Sequence, residues 1–354
     1  MRYASEKKLK EFMKSDGSWA LLISVSLIAL MIQPFVHIIS TTIASLSVAI
    51  FFTVTVYSIV MYTYKKTSIL LIGAIISLVG ALAPAAMMFA TNPKYIALPQ
   101  NPLNYLRFVS QSELKNIDTY TYKNAADRDL QITQYSTGQN VIVMLHAGGW
   151  QFGSPYDIGM WPRFFADNNY AVYSVEYRLS RPDYASWSDT TADIRDAMSY
   201  LRQDLDISSD RIILMGQSAG AHLALLEAHK NNSVSKVISL YGPTDLQLDY
   251  DTSKDKSSES TFIGGSPDDY PRRYELLSPI RYISKQSPPT LLIHGKRDDL
   301  VHHNNTLAFS NLLDSKGITN EVVLLPLTGH SFDIQEGGIA TEISKQAILR
   351  FLQD

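Results

Sequence analysis

The chain has 354 residues, a formal net charge of −3, 45% hydrophobic residues and only 18% charged ones, against about 25% charged in ordinary globular chains. The deficit is local, because no Asp, Glu, Lys or Arg occurs between Gly17 and Tyr64 or between Thr67 and Pro93. That pattern excludes disorder, a coiled coil and a fully soluble chain, and near-neutrality excludes general nucleic-acid binding. Cysteine is absent, which rules out disulfides, thiolate metal sites and a cysteine nucleophile.

The two charge-free segments divide into three apolar stretches, about 19–39, 41–62 and 68–90. Each has about the 20 residues a helix needs to cross the hydrocarbon core, and none shows the polar stripe of a soluble helix. A cleaved signal peptide is the competing reading, but no small-residue cleavage site closes the first stretch. Residues 1–93 are therefore expected to form a membrane region of three transmembrane helices, with the lipid bilayer as partner. Arg2, Lys7, Lys8, Lys10 and Lys14 precede the first span, the loop at His37 to Ser40 is uncharged, and Lys65 and Lys66 follow the second span. The positive-inside rule then predicts a multi-pass cell-membrane protein with a cytoplasmic N-terminus. An odd number of crossings makes the remainder extracellular.

Residues 94–119 open with prolines and amides (TNPKYIALPQNP, Thr91 to Pro102) and read as a linker. From 120 to 354 strands alternate with helices. Strand patterns fall at Asp129 to Tyr135, Val141 to Leu145, Ala171 to Tyr177, Arg211 to Gly216, Lys236 to Gly242, Thr290 to Gly295 and Glu321 to Pro326. Helical patterns fall at about 160–168, 189–203, 219–230, 304–316 and 338–352. Continuous apolar strands between amphipathic helices predict an α/β domain, a mostly parallel sheet covered on both faces. The polar segment of about 249–269 interrupts the alternation and reads as a surface loop or cap insertion.

The chemistry starts at Gly216-Gln217-Ser218-Ala219-Gly220, a G-x-S-x-G between a strand and a helix. There the serine sits on a sharp turn at a helix N-terminus, which favours an oxyanion. A serine needs a base, and His330, in the loop after the last strand, is the candidate. The base needs a carboxylate to hold its tautomer. His294-Gly295-Lys296-Arg297-Asp298-Asp299 offers two, Asp298 first and Asp299 one residue out of register. The order Ser, Asp, His is the one expected on this fold. His302 and His303 are rival bases that precede a helix. In His146-Ala147-Gly148-Gly149-Trp150 two glycines let backbone amides face a developing negative oxygen. The amides of Gly148, Gly149 and Ala219 are the expected oxyanion donors. Trp150 is expected to wall the acyl pocket or pack beneath it, and Asp245 is a candidate substrate contact. His222, one turn beyond Ser218, reads as a packing histidine. With no HExxH, clustered histidines, GxGxxG or P-loop, neither a metal nor a cofactor is expected.

Taken together, HAGGW, VEYRL, GQSAGAHLA, YGPTDL and HGKRDDLV resemble the α/β-hydrolase superfamily. Within it they are similar to carboxylesterases of the hormone-sensitive-lipase type and the related bacterial feruloyl-esterase-like (BD-FAE) group. The resemblance covers about 120–354. It implies Ser218 as nucleophile, Asp298 as acid in HGxxDxxV and His330 as base, with HAGGW standing where the family has HGGGW. The expected activity is a membrane-anchored serine carboxylesterase, with a small or medium acyl ester and water as its substrates. An amidase, thioesterase or peptidase on the same triad is the alternative, and a non-catalytic tethered binding protein is a second.

Overall fold

The computed structural model describes residues 107–125, 128–254 and 256–353, together with Ile75. The three apolar stretches expected to span a membrane lie outside the described residues. Among the described residues no helix is long and apolar enough to cross a membrane.

Eight strands form one sheet: β1 (Asp118–Asn124), β2 (Asp129–Ser136), β3 (Asn140–Leu145), β4 (Tyr170–Val175), β5 (Ile212–Gln217), β6 (Lys236–Leu240), β7 (Thr290–Gly295) and β8 (Asn320–Leu325). Their order is β1-β2-β4-β3-β5-β6-β7-β8. The β1–β2 and β2–β4 pairs are antiparallel, and every pair from β4 onward is parallel. Within the central strands alternate side chains enter opposite layers. Val141, Val143, Leu145, Ile212 and Leu214 pack into one apolar core, while Ile142, Met144, Ile213 and Met215 pack into the other. A strand buried on both faces must be apolar at every position, which is why these strands read as continuous runs.

The helices are α1 (Trp161–Asp167), α2 (Trp187–Gln203), α3 (Ala219–Asn231), α4 (Leu246–Thr252), α5 (Ser257–Ile263), α6 (Pro271–Leu277), α7 (Asn304–Ser315) and α8 (Ile339–Gln353). Residues of α2, α3 and α7 cover one face of the sheet, and those of α1 and α8 cover the other. The seven strands and five helices expected from periodicity are present, with small boundary differences.

The structure corrects one expectation and narrows another. The linker expected to run to residue 119 ends earlier, because from Arg107 onward the chain packs on the body. Val109 N donates to Ile334 O at 2.8 Å, Ser112 N to Tyr156 O at 2.8 Å and Ile117 N to Gln134 O at 2.7 Å. β1 then forms the edge of the sheet. An edge strand needs no continuous apolar run, so DTYTYKN carries little hydrophobic signal. The polar segment, read as a surface loop or a cap insertion, is not a plain loop. It contains the end of α4 and all of α5, and it buries Asp249, Glu259, Phe262 and Ile263. Its charged residues masked the helices, because two of the carboxyls point inward.

Those two carboxyls are buried close enough for Glu259 to act on Asp249. Burial above all, then the neighbouring Glu259 carboxyl and the repulsion of its charge, raises the Asp249 pKa well above its ordinary value, against a hydrogen bond from Asn305. The folded state therefore binds the Asp249 proton more tightly than the unfolded chain. The Asp249 contribution to stability is full below the unfolded carboxyl value, about pH 3.9, and declines as pH rises toward its raised folded value. Glu259→Gln removes the neighbouring charge. Thermal melts across neutral to alkaline pH should show a smaller fall in Tm for Glu259→Gln than for wild type, and parallel curves would reject the influence of Glu259 on Asp249.

Candidate active site

The ends of β3, β5, β7 and β8 point the same way and lie within five adjacent strands, so the loops that follow them meet at one edge. That edge, outside the carboxyl ends of parallel strands, is where open α/β sheets place their sites.

Ser218 stands between the last residue of β5 and the first of α3, with φ 52° and ψ −119°. A non-glycine residue there is strained and persists only where its surroundings over-determine it. Ser218 N donates to Leu240 O at 2.9 Å, and Ser218 O accepts from His222 N at 3.0 Å. The turn also needs helix α3 to start against β3. A side chain at Gly220 would put Cβ 2.2 Å from Leu145 O, so only glycine allows that approach.

Ser218 Oγ lies 2.8 Å from His330 Nε2, and His330 Nδ1 lies 2.7 Å from Asp298 Oδ2. Because Asp298 accepts, Nδ1 carries the proton and Nε2 is left to take one from the serine. Asp298 is itself fully held. Its Oδ1 accepts from Leu300 N at 3.0 Å and Val301 N at 2.9 Å, and its Oδ2 lies 3.2 Å from His294 Nε2. Burial works against the charge of Asp298. The charge of His330 and the hydrogen bonds from His294 and His330 outweigh it and keep the carboxyl well below its usual range. His294 also meets Val301 O at 2.9 Å and Thr306 Oγ1 at 2.7 Å, which pins the acid's loop to α7.

The structure separates the two aspartates that the sequence left adjacent. Asp299 points outward, where its exposed carboxylate pairs with Lys254 at 2.8 Å. His302 and His303 sit at the start of α7 with their rings 4.5 Å apart, and His330 occupies the position beside the serine.

After β3 the chain turns through Gly148 (φ 132°), Gly149 (φ 57°) and Trp150 (φ 60°). A Cβ at Gly148 would fall 2.1 Å from Phe152 O. Ala147 is outside the positive-φ set, so alanine costs no strain at the one position that departs from HGGGW. The amides of Gly148 and Gly149 donate to none of the described residues. His146 anchors the loop. Its ring stacks on Tyr177 at 4.2 Å, its Nδ1 lies 2.7 Å from Ala147 O, and burial lowers its pKa to about 4.

Trp150 packs beneath the loop. Its ring stacks on Phe262 of α5 at 4.9 Å, and its Nε1 donates to His222 Nδ1 at 3.1 Å. His222 Nε2 in turn donates to Leu277 O at 2.7 Å. That bond fixes the tautomer, and burial lowers the pKa of His222 to about 4. His222 is thus a structural bridge between α3, the glycine loop and α6. The structure gives Asp245 a capping role, since its carboxylate accepts from Gln247 N and Leu248 N at the start of α4.

One group escaped the reading of the sequence. Asp333, three residues past His330, is buried and accepts from Trp161 Nε1 at 2.7 Å, Gln217 Nε2 at 2.6 Å and the Tyr241 hydroxyl. The only sequence signal was a lone carboxylate between Phe332 and Ile334.

A family model, BD-FAE, matches residues 129–313, just over half of the chain. Esterase LipC of Mycobacterium tuberculosis is 27% identical over 238 residues, covering 60% of this chain and 57% of LipC. The uncharacterized peptidase YtmA of Bacillus subtilis is 29% identical over 157 residues, covering 43% of this chain and 60% of YtmA. The chain thus spans less than two thirds of the length of these relatives. The apo form of Thermogutta terrifontis esterase 2 superposes with a TM-score of 0.58 at 22% identity, covering 68% of this chain and 95% of that one. Parallel sheet, helical layers and this neighbour identify the fold as that of the α/β-hydrolases, and by the family match the chain belongs to the BD-FAE family.

Proposed function

We propose that this chain is a serine carboxylesterase held at a membrane by its N-terminal apolar stretches. The observation that carries the reading is the unbroken hydrogen-bond chain from Ser218 through His330 to Asp298 on a strand-turn-helix elbow. Ser218 Oγ attacks the ester carbonyl carbon and passes its proton to His330 Nε2. Amides of Gly148, Gly149 and Ala219 hold the oxyanion, helped by the positive end of α3. When the tetrahedral intermediate collapses, the carbon–oxygen bond to the alcohol breaks and the alcohol leaves with the proton from Nε2. Water then gives a proton to His330 and attacks the acyl-enzyme, and the acid is released as Ser218 regains its proton. Asp298 stays ionised throughout and supports the imidazolium.

Membership of the BD-FAE family and likeness to LipC support ester substrates. The peptidase name of YtmA keeps amide bonds as the second reading. Helix α5 lies against the glycine loop, where Ser258 Oγ would stand 3.0 Å from a Cβ at Gly149. That closeness favours small or medium acyl groups. The full chain should release p-nitrophenol from a chain-length series of p-nitrophenyl esters with a burst equal to the enzyme concentration. Faster cleavage of matched anilides would move the assignment to an amidase, and no turnover of either would reject hydrolysis.

Five basic residues ahead of the first apolar stretch and the Lys65-Lys66 pair after the second support a cytoplasmic N-terminus and an external catalytic domain. Protease added to intact, wall-stripped cells should digest the catalytic domain and spare a cytoplasmic control. A protected domain would reverse the topology and leave the triad standing.

A further inference from the structure

We propose that Asp333 is a positioning residue that sets both ends of the Ser218–His330 hydrogen bond. The proposal rests on the triad reading and adds to it a second buried carboxylate that does not touch the substrate.

The three partners of Asp333 all donate. Trp161 Nε1–H and Gln217 Nε2–H reach Oδ2, and the Tyr241 hydroxyl reaches Oδ1. A carboxylate, which only accepts, satisfies all three at once. An amide offers one oxygen and turns an N–H against another donor. The partners belong to different parts of the site. Gln217 is the last residue of β5 and immediately precedes the nucleophile. Tyr241 follows β6, and its ring lies edge-on to the His330 imidazole with centroids 4.6 Å apart. Trp161 opens α1, an element that carries none of Ser218, Asp298 and His330.

Asp333 also shares a short connection with the base. His330 is followed by Ser331 in the left-handed region (φ 53°) and a single 3-10 turn, Phe332–Ile334. A shift of Asp333 therefore moves the loop that carries His330, while its bond to Gln217 holds the strand that carries Ser218. Tyr241 has φ 45° and Ser218 has φ 52°, so two strained backbones flank the network. Strain persists where neighbouring contacts over-determine it, and Asp333 makes the contacts that join these two segments. The 2.8 Å serine–histidine bond is then the product of one buried hydrogen-bonded unit. Misplacement of reacting groups by about 1 Å costs on the order of 10²-fold in rate.

The test compares single variants of the full chain by kcat, KM and Tm, with active enzyme counted by fluorophosphonate titration. Asp333→Asn should lose about 10²-fold in kcat with little change in KM. Tyr241→Phe, which keeps the ring and removes one donor, should lose about 10-fold in kcat. Trp161→Phe removes a donor from the same carboxylate, one that belongs to a helix carrying no triad residue. It should lower Tm while leaving kcat near wild type. In the Asp333→Asn/Tyr241→Phe double variant the losses should be less than multiplicative, since both break one unit. If Trp161→Phe loses as much kcat as the other two, or if the losses multiply, Asp333 serves only folding and the proposal fails. Should Asp333→Asn not fold, Tyr241→Phe against Trp161→Phe decides alone. A Ser218→Ala variant with full activity would remove the triad reading itself, whereas an inactive Ser218→Ala beside equal Tyr241→Phe and Trp161→Phe would remove only this inference.

Discussion

Ser218→Ala should reduce turnover of a p-nitrophenyl ester by about 10⁶-fold, because triad members act as a unit and the loss of one removes nearly all their joint effect. The geometry makes this the largest single loss available. Ser218 Oγ is the only oxygen within hydrogen-bond distance of His330 Nε2 among the described residues, so no neighbouring hydroxyl stands ready to replace it. The variant should fold normally. Alanine removes one oxygen at a partly exposed site, and the backbone bonds of Ser218 to Leu240 and His222 do not use the side chain. A fluorophosphonate probe should label wild type on Ser218 and leave the variant unlabelled at unchanged Tm. Labelling at another serine, or turnover within tenfold of wild type, would displace Ser218 from the centre of the mechanism.

The second large effect separates two adjacent carboxylates. Asp298→Asn should lose about 10⁴-fold in kcat, since an amide in that place favours the wrong imidazole tautomer. Asp298 is buried and accepts from His330 Nδ1 and two backbone amides. An asparagine must either turn its N–H₂ toward those amides or turn it toward His330. Asp299→Asn breaks only an exposed pair with Lys254, and such pairs contribute about 0–1 kcal/mol. Its kcat should stay within twofold of wild type. Measuring both variants against the same ester checks the assignment, and the reverse ranking would place the acid one residue later. Acid also distinguishes Asp298 from the Asp249–Glu259 pair. The folded-state pKa of Asp298 is depressed, so its contribution to stability is full above the unfolded carboxyl value and disappears as pH falls below about 3.9 toward its own lower value. The raised pKa of Asp249 acts in the opposite direction, as pH rises.

The fold class was legible in the sequence because its signals are local. The runs VIVML, IILMG and LLI (Leu291 to Ile293) are apolar at every position, as only strands buried on both faces need to be. The Gly216-to-Gly220 elbow was legible for a related reason. A turn that tight excludes side chains at fixed offsets, and the exclusion is written in the same five residues. The glycine pair at 148 and 149 follows the same logic, and Ala147 shows where the constraint stops. The chain order Ser218, Asp298, His330 carried the rest of the site, since each residue closes a strand of the parallel sheet at one edge.

Only the tertiary structure decided what depends on direction across that edge. Asp298 and Asp299 are neighbours in sequence, and one turns in to His330 while the other turns out to Lys254. No local pattern separates them, because the difference is set by the β7 loop closing against β8. Asp249 and Glu259 looked like surface charges in a polar segment and are instead buried close to each other, which requires two helices to meet. The edge strand β1 escaped because its outer face needs no apolar residues. Asp333 was the least visible. Its three donors come from residues 161, 217 and 241, far apart in the chain, and only packing of α1, β5 and β6 against the His330 loop brings them to one carboxylate.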